Sequence, residues 1–357
     1  MAAKARAREI GERLLGAFLR AGAQEVTPDL LQPAGTLLDL YGEDIRARAY
    51  VTSDPLRGEM MLRPDFTVPV VEAHMAEGAE PARYCYMGEV FRRQDHRGAA
   101  RQNEYLQAGY EVFDRTDPIT ADAEVFALFA RLLAHLRPMA TVGDIGVLRA
   151  AVAGIDTIAP RKAALARHIW RPRRFHALMT RYAGLAPVPA HRAALLAGAV
   201  PDDAPWIGLR APEEMQARIA VLRQDAEAAP IPAEVVAQFD ALFSLSCPAH
   251  EAPRRLADLG IPALAPAIDR LERRLAAMAA RSIDTSALIF EASHGRSSME
   301  YYDGFVFTFS AEDPTLPPIA SGGRYDALTR VLGGGREIPA VGGVIRPGLV
   351  ADLEARG

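Results

Sequence analysis

The chain has 357 residues, half of them apolar and 24% charged, a balance that fits a globular core large enough for two domains. Its 41 Lys and Arg against 45 Asp and Glu give a formal charge of −4, which argues against nucleic acid as the principal partner. Cys85 and Cys247 support neither a disulfide framework nor a zinc pattern. No apolar run reaches the roughly 20 residues of a membrane span, so a cytoplasmic location is expected.

Residues 4–21 place Ile10, Leu14, Leu15, Phe18 and Leu19 on a helical stripe. Gln24 to Pro28 then reads as extended, with Pro28 stopping regular pairing as at an edge or a subunit boundary. Ala47–Ser53 and Glu59–Leu62 predict a hairpin through Asp54, Pro55 and Gly58. From Met61 to Pro69 polar Arg63, Asp65 and Thr67 alternate with apolar neighbours, and a short helix is expected from Val70 to Met75.

The next stretch predicts strand, turn and strand: Tyr84 to Arg92, a polar turn from Gln94 to Ala100 with Gly98 as its breaker, then Gln102 to Phe113. On the second strand Gln107, Gly109 and Glu111 are two apart and face the same way. An amide and a carboxylate thus stand about 13 Å apart with a bare glycine between them. Such a shallow floor suits a small ligand rich in N–H donors. Taken alone, the stretch favours the plainer account, a solvated strand face bent at the glycine.

Asp117-Pro118 predicts a helix start, with an apolar helix running to about His135, and Thr141 to Val147 is expected as a strand. From 148 to 280, alanine-rich segments broken by prolines predict a helical insertion between a first core part, 1–147, and a last one, 281–357. Within it, Arg167 to His176 mixes basic and aromatic residues. A solvated helix end with Trp170 and Phe175 packed inward is favoured there over a docking patch for RNA or an acidic protein. Ala287–Ala292 and Met299–Phe309 alternate and are expected to pair across His294-Gly295-Arg296. Ile319 to Asp326 runs into a helix, Gly333-Gly334-Gly335 is a turn, and Ala340–Ile345 is a strand. There is no Walker A loop, dinucleotide fingerprint, HExxH or GxSxG, so neither cofactor nor metal is called for.

Several segments match known motifs in order. Leu62-Arg63-Pro64-Asp65-Phe66-Thr67 looks like an LRPExT element, and Phe91-Arg92 with Gln107-Ala108-Gly109-Tyr110-Glu111 looks like motif 2. Glu300 to Phe307 and Gly322-Gly323-Arg324-Tyr325-Asp326 look like two histidine-specific signatures, and the Pro28 segment is similar to motif 1. Together they resemble the catalytic core of class II aminoacyl-tRNA synthetases, specifically histidyl-tRNA synthetases. The resemblance implies an α+β fold, an antiparallel six- or seven-stranded sheet flanked by helices, with a dimer interface at motif 1. It also implies roles: Asp65, Thr67 and Gln107 would take the α-ammonium of histidine, and Glu111 with Tyr301 or Tyr302 its imidazole. Acceptors suit both groups, since each presents N–H donors. Asp65 is one methylene shorter than the family's glutamate.

The activation machinery departs from that pattern. Arg92 is retained and, with Arg324, would form a remnant anion site, but the motif 2 glutamate is Gln94 here. The family's histidine-specific arginine aligns with Ser297; Arg296 is one residue away, a slip that reverses a strand face unless a bulge restores it. In Gly342 to Leu349 the place of motif 3's arginine falls at Leu349, and no anticodon-binding domain is expected. A kept pocket beside a lost ATP cage resembles the regulatory subunits of ATP phosphoribosyltransferase, synthetase-like paralogues in histidine biosynthesis. This resemblance implies a non-catalytic chain, a homodimer within a hetero-octamer. Its short-form catalytic subunits would need it for activity and respond through it to histidine. The alternative is a divergent histidyl-tRNA synthetase-like enzyme that activates an amino acid; an RNA-binding module at 167–176 ranks third.

Overall fold

The N-terminal stripe forms helix α1 (Ala2–Arg20), which buries Ile10, Leu14 and Phe18 while its charged face stays in solvent. In the computed structural model, which describes residues 2–35, 47–94, 102–198, 211–295 and 301–356, the chain then enters a mixed sheet. Its first edge is β1 (Gln24–Glu25), paired parallel to β5 (Ala82–Phe91). Strands β3 (Val51–Asp54) and β4 (Gly58–Leu62) make the expected hairpin, and β2 (Leu31–Pro33) completes a separate three-stranded sheet. Helix α2 (Thr67–Glu77) starts earlier than expected, with Pro69 inside its first turn. First-turn N–H groups have no partner within a helix, so proline costs nothing there.

β5 and β6 (Glu104–Phe113) form a ten-residue antiparallel ladder in the register Tyr84↔Glu111, Tyr86↔Gly109, Gly88↔Gln107. Residues 95–100 of the expected turn, Gly98 among them, lie outside the described residues. Asp117 caps α3 (Pro118–Leu133) by accepting the Thr120 N–H at 3.0 Å. The expected strand from Thr141 ends sooner, in β7 (Met139–Asp144), because Asp144 accepts the Gly146 N–H and starts α4 (Ile145–Ala153).

The middle of the chain is helical: α5 (Ala159–Arg167), α6 (Pro172–Tyr182), α7 (Ala190–Leu196), α8 (Pro212–Glu227), α9 (Ala233–Phe243), α10 (Ala252–Ala257) and α11 (Ala265–Ala279). Phe175, Phe239 and Phe243 pack ring to ring there, with Phe175 fully buried. Strand β8 (Ser246–Pro248) leaves this stretch and joins the far edge of the main sheet beside β9 (Ile289–Glu291).

After β10 (Phe305–Ser310), β11 (Ala320–Arg324), α12 (Asp326–Leu332), β12 (Ala340–Ile345) and α13 (Pro347–Glu354), the sheet order is β1-β5-β6-β12-β11-β10-β7-β9-β8. Among the described residues nine strands thus replace the expected six or seven, and the β1–β5 and β7–β9 pairs are parallel in an otherwise antiparallel sheet. The expected pairing of 287–292 with 299–309 does not form, because β7 lies between β9 and β10. Alternation selects a strand's buried face, not its neighbour. Phe126 and Phe129 of α3 pack on the aromatic ladder Phe305, Phe307 and Phe309. A buried ionic cluster ties α3, β7, α11 and β11. Arg274 donates to Asp122 and Asp144, each at 2.8 Å, and Arg324 donates to Asp122 through Nη2 at 2.7 Å and Nε at 3.0 Å. Among the described residues, no helix is long and apolar enough to cross a membrane.

Candidate functional site

Strand alternation places Gln107 and Glu111 on one face of β6, each only 1% exposed. Three neutral hydroxyls hold the Glu111 carboxylate. Tyr86 donates to Oε1 at 2.8 Å, Thr67 to Oε1 at 3.2 Å, and Tyr325 to Oε2 at 2.6 Å. Gly342 stands opposite Glu111 across the β6–β12 ladder, and a Cβ there would lie 1.5 Å from Oε2, so the glycine makes room for the carboxylate. Burial pushes the Glu111 carboxyl up to about 7; the three hydroxyls pull it back, and the nearby charge of Asp65 raises it again. Burial likewise keeps the Tyr86 and Tyr325 phenols well above their ordinary value, so both remain donors.

Gly109 is not the bare floor that the alternation suggests. Tyr86 of β5 lies over it, so that a Cβ on Gly109 would sit 2.2 Å from the ring, and Phe66 stacks behind Tyr86 at 4.2 Å. The cross-strand neighbour fills the space that the missing side chain leaves.

The loop before α2 brings Asp65 to the same place. Asp65 is buried, accepts the Thr67 N–H at 3.1 Å, and lies 3.8 Å from the Arg92 guanidinium. Arg92 is anchored by its Nε–H on the Pro64 carbonyl at 2.7 Å. From the last third of the chain, Tyr301 donates to the Thr67 hydroxyl at 3.5 Å, and its ring meets those of Tyr302 at 4.8 Å and Tyr325 at 6.1 Å. Tyr302, buried like Tyr301, is held above the ordinary phenol range by burial and by the charge of Glu111. Gln107 completes the set: its Oε1 is buried and accepts no hydrogen bond, a costly state unless a donor arrives. The cluster therefore offers two carboxylates, an amide oxygen and tyrosine hydroxyls to something carrying N–H groups. Among the described residues, no group of three His, Cys, Asp or Glu could hold a metal ion.

The expected anion-binding residues are placed apart. Arg92 borders this cluster, whereas Arg324 is committed elsewhere, to Asp122, to Asp326 at 3.0 Å and to the Pro118 carbonyl at 2.6 Å. Leu349 sits within α13, and Arg346 before it donates to the Pro318 carbonyl at 2.6 Å and lies over the Tyr105 ring. Arg296, Ser297 and Glu300 lie outside the described residues. Sequence reasoning missed Tyr86 and Tyr325. Counting outward from the expected turn pairs Tyr86 with Ala108, one residue off the observed register Tyr86↔Gly109, and Tyr325 had no local signal at all.

A family model described as histidyl-tRNA synthetase matches residues 2–198 and 210–347. The chain is 32% identical over 358 residues to an "ATP phosphoribosyltransferase regulatory subunit" of Allorhizobium ampelinum, covering 92% of this chain and 93% of that one. It is 32% identical over 374 residues to a protein of the same name from Rhizobium etli, covering 94% of each. A solved structure from Bacillus halodurans, titled as an ATP phosphoribosyltransferase regulatory subunit/histidyl-tRNA synthetase, superposes with a TM-score of 0.69 at 19% identity, over 98% of this chain and 79% of that one. A histidine–tRNA ligase subunit from Alicyclobacillus acidocaldarius gives a TM-score of 0.62 at 22% identity, over 99% and 94%. At those identities the structures speak for the fold alone.

Proposed function

This chain belongs to the family of ATP phosphoribosyltransferase regulatory subunits, built on the histidyl-tRNA synthetase core, and from that premise we propose that it is a non-catalytic histidine sensor. Its target is a short-form catalytic subunit, which requires it for activity and through it responds to histidine. The observation that carries this reading is the Gln107 Oε1, a buried acceptor without a donor, on the same strand face as the Glu111 carboxylate. Asp65, Thr67 and Gln107 would accept the α-ammonium; Glu111 with Tyr301 or Tyr302 would meet the imidazole. Histidine that binds one assembly state better than another shifts the partner's activity by that difference in affinity, and by no more. Homodimerisation is proposed along edge strand β1, where a groove of about 330 Å³ is lined by Val26, Pro28, Pro69, Val70 and Tyr84.

The test is twofold. Histidine should bind the purified chain in calorimetry, and the chain should co-purify with a short-form catalytic subunit; failure of either overturns the proposal. A second reading, amino-acid activation, is favoured by Arg92 at the rim of the cluster. Histidine-dependent pyrophosphate exchange with ATP would establish it. Against it stands the commitment of Arg324 to Asp122 and Asp326, which leaves no developed cation set for an α-phosphate.

A further inference from the structure

Between Asp156 and Asp202 the sequence contains no acidic residue, although acids outnumber bases in the chain as a whole. Bases do occur there in number, and they divide into two groups. Arg161 and Arg192 turn inward and bond Asp225 at 2.6 and 2.5 Å, with Arg181 at 3.7 Å from the same carboxylate. These three are committed to one carboxylate within the fold. Arg167 at the end of α5, and Arg173 and Arg174 in the first turn of α6, are exposed and make no ion pair among the described residues.

Two facts sharpen the meaning of that group. Cations in a helix's first turn oppose the macrodipole, so Arg173 and Arg174 raise a local positive potential rather than balance it. They contribute nothing to the core either, because Phe175, Met179 and Tyr182 form the buried face of α6. The burial of the Phe175 and Tyr182 rings leaves only half-buried Trp170 and the exposed His176 imidazole for stacking, a sparse platform for single-stranded RNA. What remains is a cationic surface, flanked by the half-buried Trp170 and the exposed imidazole of His176, on a chain of net negative charge. It fits carboxylates.

We propose that the exposed arginine face of the α5–α6 turn is an electrostatic docking surface for an acidic protein face. Resting on the reading above, that face belongs to the catalytic partner. Unlike charges of this kind steer encounter and fix register.

The experiment compares the wild-type chain with Arg167→Glu/Arg173→Glu/Arg174→Glu and with a control, Arg254→Glu/Arg255→Glu on α10. Each is mixed with the catalytic subunit and followed by sedimentation velocity at low and high salt. Thermal melting and histidine calorimetry on the free chains verify folding. Expected is a loss of affinity on the order of 100-fold for the triple variant at low salt, with the salt dependence flattened, and little change in the control. Equal affinity of wild type and triple variant overturns the docking surface while leaving the regulatory reading intact. Equal loss in the triple variant and the control also overturns it, by assigning the effect to net charge. Absence of any wild-type complex overturns both readings. Unchanged assembly together with tight, salt-sensitive binding of tRNA that the triple variant loses would reassign the surface to nucleic acid.

Discussion

Two of the buried polar clusters among the described residues differ in what their burial is for. Around Asp122 every carboxylate faces a guanidinium: Arg274 bridges Asp122 and Asp144, and Arg324 joins Asp122 to Asp326. Around Glu111 the carboxylate faces only neutral hydroxyls, Asp65 adds a second negative charge, and Gln107 presents an unanswered oxygen. The first cluster is complete and joins five elements of the fold, α3, β7, α11, β11 and α12. The second keeps its guanidinium, Arg92, beside Asp65, gives Glu111 only hydroxyls, and leaves the Gln107 oxygen without a donor, a distribution that suits a cationic, N–H-bearing ligand better than a structural ion pair does.

Breaking the complete cluster should produce the largest effect. Asp122→Ala removes the carboxylate that the two buried arginines share, leaving Arg274 with Asp144 and Arg324 with Asp326, and should cost about 3–5 kcal/mol in chemical denaturation. Next comes the pH dependence of the deficient one. Glu111 is neutral in both folded and unfolded chains well below pH 4.5 and charged in both above about 7, so the folded state is increasingly penalised across that window. Relative to Glu111→Gln, which cannot titrate, the wild type without ligand should lose up to about 3 kcal/mol between acid and alkaline ends, read from urea midpoints. The same substitution should weaken histidine binding by about 10- to 100-fold in calorimetry, since a charged acceptor becomes a neutral one. Smallest is Gln107→Leu. Removing an unpaired buried oxygen should stabilise the free chain by about 1 kcal/mol while lowering histidine affinity, opposite signs that a purely structural glutamine would not give.

Much of this was legible in the order of residues. Period-two alternation located Gln107 and Glu111 on one face of a strand, and proline and glycine punctuation delimited the hairpins and the helical middle. A set of motifs in consistent order pointed to the family before any coordinate was known. Strand neighbours were not legible. β9 aligns parallel to β7 instead of pairing with β10, and β8 emerges from a helical stretch to extend the sheet.

The amino-acid order by itself determined the elements, the buried faces and the candidate ligand residues, because periodicity and turn chemistry act over a few residues. Only the tertiary structure decided what each polar side chain is bonded to. Tyr325 reaches Glu111 across 214 positions and Arg324 reaches Asp122 across 202, and it is these contacts that make one acid a candidate receptor and the other a joint. Local pattern sets direction, whereas hydrogen-bond partners are chosen by which distant surfaces the packed core brings within 3 Å.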